Sequence, residues 1–246
     1  MPSTDVHTHL APSLSRTVEG VGVDDLGRLE VDGHRIGAAG LYDAGRLAGL
    51  LAEHGVDRAW VSAPPPFYRQ GLRPEQTRAW VWDLDDGLRE RLAGADTLDR
   101  LGPHYLSNLL GNPVETGVAV AQLVLGGVLT RHPDLRIVLV HCGGVVPALV
   151  GRWSRGVATR RPGIAPDTEE PATAVRRLWS DCLGHRPEAV DLARATFGDD
   201  HLLLGSDYPF PMGLEDPFEA LSHLPPELRR RIAGNAQALV TTAVAP

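Results

Sequence analysis

Two histidines near the start of the chain have the spacing of metal ligands. His7 and His9 lie in residues 4–10, where the alternation of residue types predicts a short β-strand with a polar inner face. Side chains two positions apart on a strand point to the same face, so both imidazoles would project together. Paired imidazoles form half of a typical zinc site, whereas a His-x-His pair alone is often an incidental surface feature.

Asp207 offers a carboxylate that could complete this site. It follows an apolar run at residues 202–205, which predicts the last strand of the chain. If the strands close into a barrel, the last strand lies beside the first and brings Asp207 close to His7 and His9. Two histidines and one carboxylate can bind Zn²⁺ and leave a position for water or substrate. The alternative is that Asp207 only caps the turn before Tyr208.

His141 is the third candidate for chemistry. It ends an apolar run at residues 135–140, which is typical of a strand buried on both faces. Cys142 and two glycines follow it, and glycine lets the backbone approach a ligand closely. A histidine at the carboxyl end of a barrel strand usually points into the active site. We therefore interpret His141 as a general acid/base or a metal ligand, with an inert core histidine as the alternative.

Strands that alternate with helices predict an α/β fold with a parallel sheet. Residues 17–40 are rich in glycine and predict a β-type excursion from a single domain that spans 1–246. Asn112, followed by Pro113 and Glu115, predicts a helix cap. We predict strands at 4–10, 56–63, 135–140, 178–182 and 202–205, and helices at 42–54, 74–92, 112–130, from about 146, at 187–197 and at 226–240.

Composition excludes several classes of function. The net charge of −7 disfavours nucleic acid and anionic membranes as partners. No apolar run approaches the roughly 20 residues of a membrane span, and no secretory signal is visible, so we expect a cytoplasmic protein. All 24 basic residues are arginine. Without lysine, the chain cannot form a Schiff base, bind pyridoxal phosphate covalently, build a lysine-dependent phosphate loop or carbamylate a metal-bridging lysine.

A set of motifs resembles one family. The stretches DVHTHL, GNPVET, LGGVLTRHPDLRIVLVH, GSDYPFP and GNAQAL occur in this order. They are similar to the amidohydrolase-related decarboxylases (amidohydrolase family 2), and among them to the aminocarboxymuconate-semialdehyde decarboxylases. The resemblance covers residues 4–93 and again about 98–240. It implies a TIM-barrel-like, metal-dependent hydrolase fold.

The resemblance also implies roles for individual residues. His7, His9 and Asp207 match ligands of Zn²⁺ or another divalent transition metal, and His141 matches the acid/base beside the metal-bound water. Arginines suit substrate carboxylates because the guanidinium binds a carboxylate through two hydrogen bonds. One such arginine comes across a dimer interface in the family, which implies a homodimer. The matching substrate-site positions are Arg35, Arg152 and Arg160.

The chain departs from the family pattern in its middle. The family has a further histidine ligand in a His-Pro motif after its fifth strand, and nothing here matches it. At about 30 residues per βα unit, about two and a half units are absent near residues 94–95. We therefore predict an incomplete barrel that lacks about three central strands. His104 could replace the lost ligand or be a surface residue, and Cys142 replaces a glycine of the family.

Together these features predict a zinc-dependent, non-oxidative decarboxylase of a small unsaturated or aromatic carboxylate. Zinc would lower the pKa of bound water and polarise the substrate, while His141 would move a proton. One alternative is an amide or lactone hydrolase that uses the same zinc-bound water. The other is a non-catalytic remnant of the family that binds metal poorly, which the missing His-Pro strand favours.

Overall fold

The computed structural model describes residues 2–11, 20–62 and 103–241. The predicted helix at 74–92 and the suspected junction at 94–95 lie outside these residues. The strands of the described part are β1 (Thr4–His9), β2 (Val21–Val23), β3 (Leu29–Val31), β4 (His34–Arg35), β5 (Arg58–Ser62), β6 (Val138–Leu139), β7 (Trp179–Asp181) and β8 (Leu202–Leu203).

The helices of the described part include one at Pro171–Val175 that the sequence analysis does not predict, and the predicted helix at 226–240 is divided in two. The α-helices of the described part are α1 (Ala44–Glu53), α2 (Asn112–Leu125), α3 (Val128–Arg131), α4 (Val146–Ala158), α5 (Pro171–Val175), α6 (Pro187–Phe197), α7 (Pro226–Gly234) and α8 (Ala236–Thr241). None of these described helices combines the length and the apolar character that crossing a membrane requires.

The parallel strands are ordered β6-β7-β8-β1-β5. β1 pairs with β5, and β7 pairs with both β6 and β8. Between β8 and β1, the Val6 amide donates to the Leu204 carbonyl at 2.8 Å, and the His9 amide donates to the Tyr208 carbonyl at 2.7 Å. The prediction that the first and last strands are neighbours is therefore confirmed. Within the described residues, the sheet forms part of a barrel rather than a closed one.

The glycine-rich excursion is a small antiparallel sheet of β2, β3 and β4. Its own core consists of Leu29, Val31, Ile36 and Leu41, and Phe210 packs against that core. Because Phe210 follows β8, this contact holds the excursion beside the carboxyl end of the parallel strands. This small sheet lies within residues 17–40, the range for which the sequence predicts a β-type excursion.

The structure corrects two details of the helix predictions. Asn112 is not a cap, because a π-helical turn at Ser107–Gly111 runs directly into α2 and leaves no side-chain cap hydrogen bond. The predicted helix at 112–130 is interrupted at Gly127, whose φ of 68° is left-handed, and α3 is a separate turn. A left-handed residue cannot continue a right-handed helix, and glycine adopts this conformation without steric cost.

The main core lies between the parallel strands and the helices of the second half of the chain. Apolar side chains of β6, β8, α2, α4 and α6 form one buried cluster, including Leu139, Leu202, Val120, Val146 and Phe197. Burial of this apolar surface provides most of the stabilisation that fixes the strand ends. The polar residues of the site are therefore carried on a packed scaffold.

Candidate metal centre

Four candidate residues converge at the carboxyl ends of β1, β6 and β8. The Nε2 atoms of His7 and His9 lie 3.2 Å and 3.1 Å from Oδ1 of Asp207. The Nε2 atom of His141 lies 3.8 Å from the other carboxylate oxygen. The His7 ring centroid is 5.1 Å from that of His9 and 5.2 Å from that of His141. Two strand ends, those of β1 and β6, thus aim three imidazoles at the carboxylate that follows β8.

Local backbone geometry turns two of these side chains inward. Asp207 has a φ of 58° and His141 a φ of 56°, both in the left-handed region that non-glycine residues seldom adopt. The Asp207 amide donates to the His7 carbonyl at 2.7 Å, which fixes the first of these turns against β1. Strained backbone of this kind is concentrated at functional sites.

Asp181 holds the His7 ring. Its Oδ2 lies 2.7 Å from Nδ1 of His7, and the Asp181 side chain is fully buried at the end of β7. Burial acts to lower the pKa of His7, but the hydrogen bond to Asp181 and the charge of that carboxylate raise it above its ordinary value. Burial likewise acts to raise the pKa of Asp181, and its contacts with His7 hold that pKa below its ordinary value.

His9 is oriented by two neighbours. The hydroxyl oxygen of Ser62, the last residue of β5, lies 3.0 Å from Nδ1 of His9. The ring of Phe210 lies 5.1 Å away, at a tilt of 59°. With Nδ1 engaged by Ser62, the opposite ring nitrogen of His9 faces Asp207.

Asp5 connects the backbone of β1 to the backbone of the segment that follows β8. Its Oδ1 accepts the backbone amides of His7 at 3.0 Å and Ser206 at 3.1 Å. The residue is only 1% exposed. Burial raises the pKa of Asp5 to about 6, although hydrogen bonds from Ser206 and His7 act in the other direction. Asp5 thus holds backbone rather than an imidazole ring.

His141 is the most accessible of the three histidines. Its side chain is 26% exposed, against 7% for His7 and 6% for His9. Its Nδ1 atom is buried and makes no hydrogen bond with the described residues. Cys142, which follows it with a φ of 54°, is buried, and burial raises the pKa of its thiol well above the ordinary value. A thiol of that kind is not a nucleophile at neutral pH.

The donor set fits a divalent transition metal. Ligand atoms of His7, His141 and Asp207 lie within 4.8 Å of one another. Burial acts to raise the pKa of Asp207, but the imidazoles of His141 and His9 hold it well below its ordinary value, so this carboxylate is ionised. Buried charges are normally paired or coordinate metals, and no described arginine forms an ion pair with Asp207. Mixed imidazole and carboxylate ligands are typical of Zn²⁺, Mn²⁺ and related ions.

The three predicted substrate arginines lie outside this cluster. Arg35 is on β4, 60% exposed, with Nε 3.7 Å from a carboxylate oxygen of Asp24. Arg152 is exposed on α4, and Arg160 is exposed just after that helix. Their substrate role stays a prediction. His104 is also exposed, and within the described residues it is not one of the clustered ligand atoms.

The sequence analysis overlooked two buried carboxylates. Asp5 lies two residues before His7 on the same strand, so the period of a strand places it in line with both histidines. Asp181 ends the observed strand β7, which lies within the weak strand predicted at 178–182, and His141 and Asp207 were identified from positions of the same kind. The rule that polar residues at carboxyl ends of barrel strands reach the active site applies equally to Asp181.

Within the described residues, the topology and the cluster define part of an α/β barrel with polar side chains gathered at the carboxyl ends of its parallel strands. The sequence profile of the amidohydrolase family matches residues 46–240, so the chain belongs to this family. This membership confirms the resemblance inferred from the motifs.

The chain is similar over part of its length to proteins named as decarboxylases. The chain is 36% identical over 115 residues to the 2-amino-3-carboxymuconate-6-semialdehyde decarboxylase of Caenorhabditis elegans, which covers 46% of this chain and 29% of that protein. The match therefore spans less than a third of the relative's length.

Solved structures confirm the fold class. IDCase from Metarhizium anisopliae in its apo form superposes with a TM-score of 0.69 at 19% identity, covering 97% of this chain and 96% of that one. A dihydroxybenzoic acid decarboxylase from Polaromonas sp. JS666, with bound manganese and the inhibitor 2-nitroresorcinol, gives a TM-score of 0.66 at 17% identity, covering 99% and 98%. At these identities, the likeness establishes the fold alone.

Proposed function

We propose that this chain is a metal-dependent, non-oxidative decarboxylase of a small aromatic or unsaturated carboxylate. The observation that carries the proposal is the convergence of His7 and His9 on one oxygen of Asp207, at 3.2 Å and 3.1 Å. Membership of the amidohydrolase family and the similarity to a named decarboxylase support this choice of reaction.

His7, His9 and Asp207 would hold the metal ion. Nε2 of His7 and Nε2 of His9 each lie beside Oδ1 of Asp207. The second ring nitrogen of His7 is engaged by Asp181 and that of His9 by Ser62. When bound, such an ion supplies Lewis-acid polarisation of the substrate and lowers the pKa of water. Zn²⁺ is the ion we expect, and Mn²⁺, which the Polaromonas enzyme contains, is the first alternative to test.

His141 would move the proton. In non-oxidative decarboxylation the bond between carbon and carboxylate breaks, CO₂ leaves, and the electron pair that stays on carbon takes a proton. His141 suits the donor role because it is the most accessible histidine of the cluster, and its Nε2 lies 3.8 Å from Oδ2 of Asp207. A donor of this kind contributes about 10²- to 10⁴-fold to the rate. The substrate carboxylate would be bound by the predicted arginines Arg35, Arg152 and Arg160. The protein would be a homodimer in which at least one of these arginines reaches the site of the partner subunit.

The test combines metal content with CO₂ release. Protein loaded with Zn²⁺ or Mn²⁺ is assayed with a panel of small aromatic and unsaturated carboxylates. We expect His7→Ala to lose the metal and the activity. We expect His141→Gln to keep the metal while kcat falls by about 10² or more. His132→Gln, an exposed histidine after α3, is the matched control and should behave as wild type.

Three results would contradict parts of this proposal. Wild-type protein that takes up no divalent metal would indicate a non-catalytic member of the family. Hydrolysis of amides or lactones without CO₂ release would indicate a hydrolase. If His141→Gln lost the metal together with the activity, His141 would be a ligand rather than the proton donor.

A further inference from the structure

Asp181 joins a histidine of the metal centre to the backbone of two neighbouring turns. The side chain is fully buried. Its Oδ2 is 2.7 Å from Nδ1 of His7. Its Oδ1 accepts two backbone amides, from Cys142 at 3.0 Å and from Leu183 at 3.1 Å. Oδ2 therefore contacts the His7 ring on β1, whereas Oδ1 accepts hydrogen bonds from the turns that follow β6 and β7.

We propose that Asp181 is a positioning residue that holds His7 in the tautomer with its proton on Nδ1. An ionised carboxylate can only accept, so Nδ1 must donate, and the lone pair of the neutral ring is then on Nε2. Nε2 is the atom that lies 3.2 Å from Asp207. This inference rests on the proposed function, because it assigns Asp181 the task of presenting His7 to the metal.

The second oxygen ties this task to the turn that carries His141. Cys142 follows His141 directly, and both residues have left-handed backbone angles, with φ of 54° and 56°. The hydrogen bond from the Cys142 amide to Oδ1 holds that turn in place. Rotation of the carboxylate would therefore break contacts with two backbone amides, which fixes the identity of the oxygen that faces His7.

This arrangement makes Asp181→Asn an unusually direct test. Two backbone amides require an acceptor at the Oδ1 position, so the carbonyl oxygen of asparagine must stay there. The asparagine NH₂ group then faces Nδ1 of His7 and can only donate. His7 must move its proton to Nε2, where it can donate to Asp207 but can no longer bind a metal. The shape of the side chain and the contacts of the turn are retained.

Two measurements follow from this reasoning. Zn²⁺ and Mn²⁺ are titrated into chelator-treated protein, and we expect Asp181→Asn to raise the dissociation constant about 10- to 100-fold. Long-range ¹H–¹⁵N spectra of the metal-free protein at alkaline pH, assigned with His7→Ala, should show the His7 proton on Nδ1 in wild type and on Nε2 in the variant.

Asp5→Asn is the matched control. Asp5 is an equally buried carboxylate near His7, but its hydrogen bonds are with the backbone amides of His7 and Ser206 and with the Ser206 side chain, and none is with the His7 ring. Asparagine keeps both backbone contacts, so we expect the metal affinity and the His7 tautomer to stay close to those of wild type.

The outcomes separate this inference from the proposed function. If wild type binds neither ion, the proposed function fails. If wild type binds metal and Asp181→Asn binds it equally tightly, Asp181 has no positioning role. Equal weakening by Asp5→Asn would also overturn the inference, because any buried carboxylate would then serve. The spectrum of wild type is decisive even if the variant does not fold: a proton on Nε2 of His7 contradicts the proposal.

Discussion

At the scale of single residues, the centre depends on carboxylates whose surroundings give them different protonation behaviour. Asp207 faces imidazoles and keeps a depressed pKa, whereas burial raises the pKa of Asp5 to about 6. Asp207 is therefore ionised and available to a cation over the whole neutral range. Asp5 is an acceptor for backbone amides and carries its charge at an energetic cost.

That cost predicts a pH-dependent gain in stability for Asp5→Asn. The folded pKa of Asp5 is about 6 and its ordinary value is 3.8, so the folded chain holds this proton more tightly than the unfolded chain. The resulting stabilisation is complete below the ordinary value and is lost as the pH rises through the folded one. Relative to wild type, Asp5→Asn should therefore gain on the order of 3 kcal/mol between about pH 4 and about pH 7.

Denaturant unfolding of both chelator-treated proteins across this pH range provides the measurement. Because both proteins share all other titrating groups, the contributions of those groups cancel in the difference between the two unfolding free energies. A difference that stays constant with pH would show that the charge of Asp5 is not penalised by burial. A difference that falls with rising pH would show that Asp5 is stabilised as a carboxylate by its two amide donors.

At the scale of elements, the segment between α4 and α5 is attached to the end of α2 and to α3 by polar contacts. The Ala165 amide and the Thr168 hydroxyl donate to the Leu125 carbonyl at 2.9 Å and 3.0 Å. Glu169 forms an ion pair with Arg177, which also donates to the Leu129 carbonyl at 2.9 Å. The hydrogen bond from Arg177 is the principal reason that the pKa of Glu169 lies below its ordinary value.

We therefore expect Glu169→Gln to destabilise the fold by about 1–2 kcal/mol at neutral pH, because it removes charge-assisted hydrogen bonds from a partly buried pair. Since the pKa of Glu169 is depressed, this contribution is present above the ordinary pKa of 4.5 and is lost as the pH falls through the folded value. Thermal or denaturant unfolding of variant and wild type checks both the size and the sign.

Glu188→Gln is the control, because Glu188 pairs with Arg186 on an open surface where their side chains are 72% and 77% exposed. Solvent screens an ion pair this exposed, so we expect its loss to change the stability far less than the loss of the Glu169 pair. If both substitutions cost the same, the Glu169 pair does not attach this segment to α3.

A second prediction concerns the close packing of β1, β7 and β8. A Cβ atom on Gly205 would lie 2.8 Å from Cβ of Asp181 and 3.1 Å from Cβ of His7. Gly205→Ala should therefore separate these two side chains, weaken metal binding, and destabilise the fold by about 1–3 kcal/mol. Unfolding free energy and metal titration on the same protein are the measurements.

Gly151→Ala provides the contrast on α4, where an added Cβ meets nothing within 4 Å. Alanine is the better helix former, so this variant should gain about 0.5–1 kcal/mol and bind metal as wild type does. Normal metal binding by Gly205→Ala would show that the spacing of the strands does not control the contact between Asp181 and His7.

The same elements show which features a sequence predicts and which it does not. The neighbouring positions of β1 and β8 followed from the His-x-His spacing and from Asp207 at a strand end, because both depend on local periodicity and barrel closure. The break at Gly127 and the π-helical turn before Asn112 depend on contacts with distant segments, which a local pattern does not contain. Asp181 was overlooked because its strand is short and its partner, His7, is 174 residues away.

At the scale of the whole molecule, the centre joins the first and the last strand of the parallel sheet. His7 lies on β1, and Asp207 lies after β8, so the contact between them closes a loop that contains most of the described residues. Groups so far apart in sequence come together only in the folded state. A ligand that bridges them binds the folded chain and not the unfolded one.

A bound divalent ion should therefore stabilise the entire chain rather than only its site. At a free metal concentration about 100 times the dissociation constant, the gain is about 2.7 kcal/mol, and the thermal midpoint should rise with metal concentration. Differential scanning calorimetry of chelator-treated protein with increasing Zn²⁺ or Mn²⁺ measures this, and His7→Ala should abolish the concentration dependence. Because a bound ion would hold β1 and β8 together, metal should also slow proteolysis within both strands to the same extent. Protection of one strand alone would show that the two strands open independently, and that the cation does not bridge them.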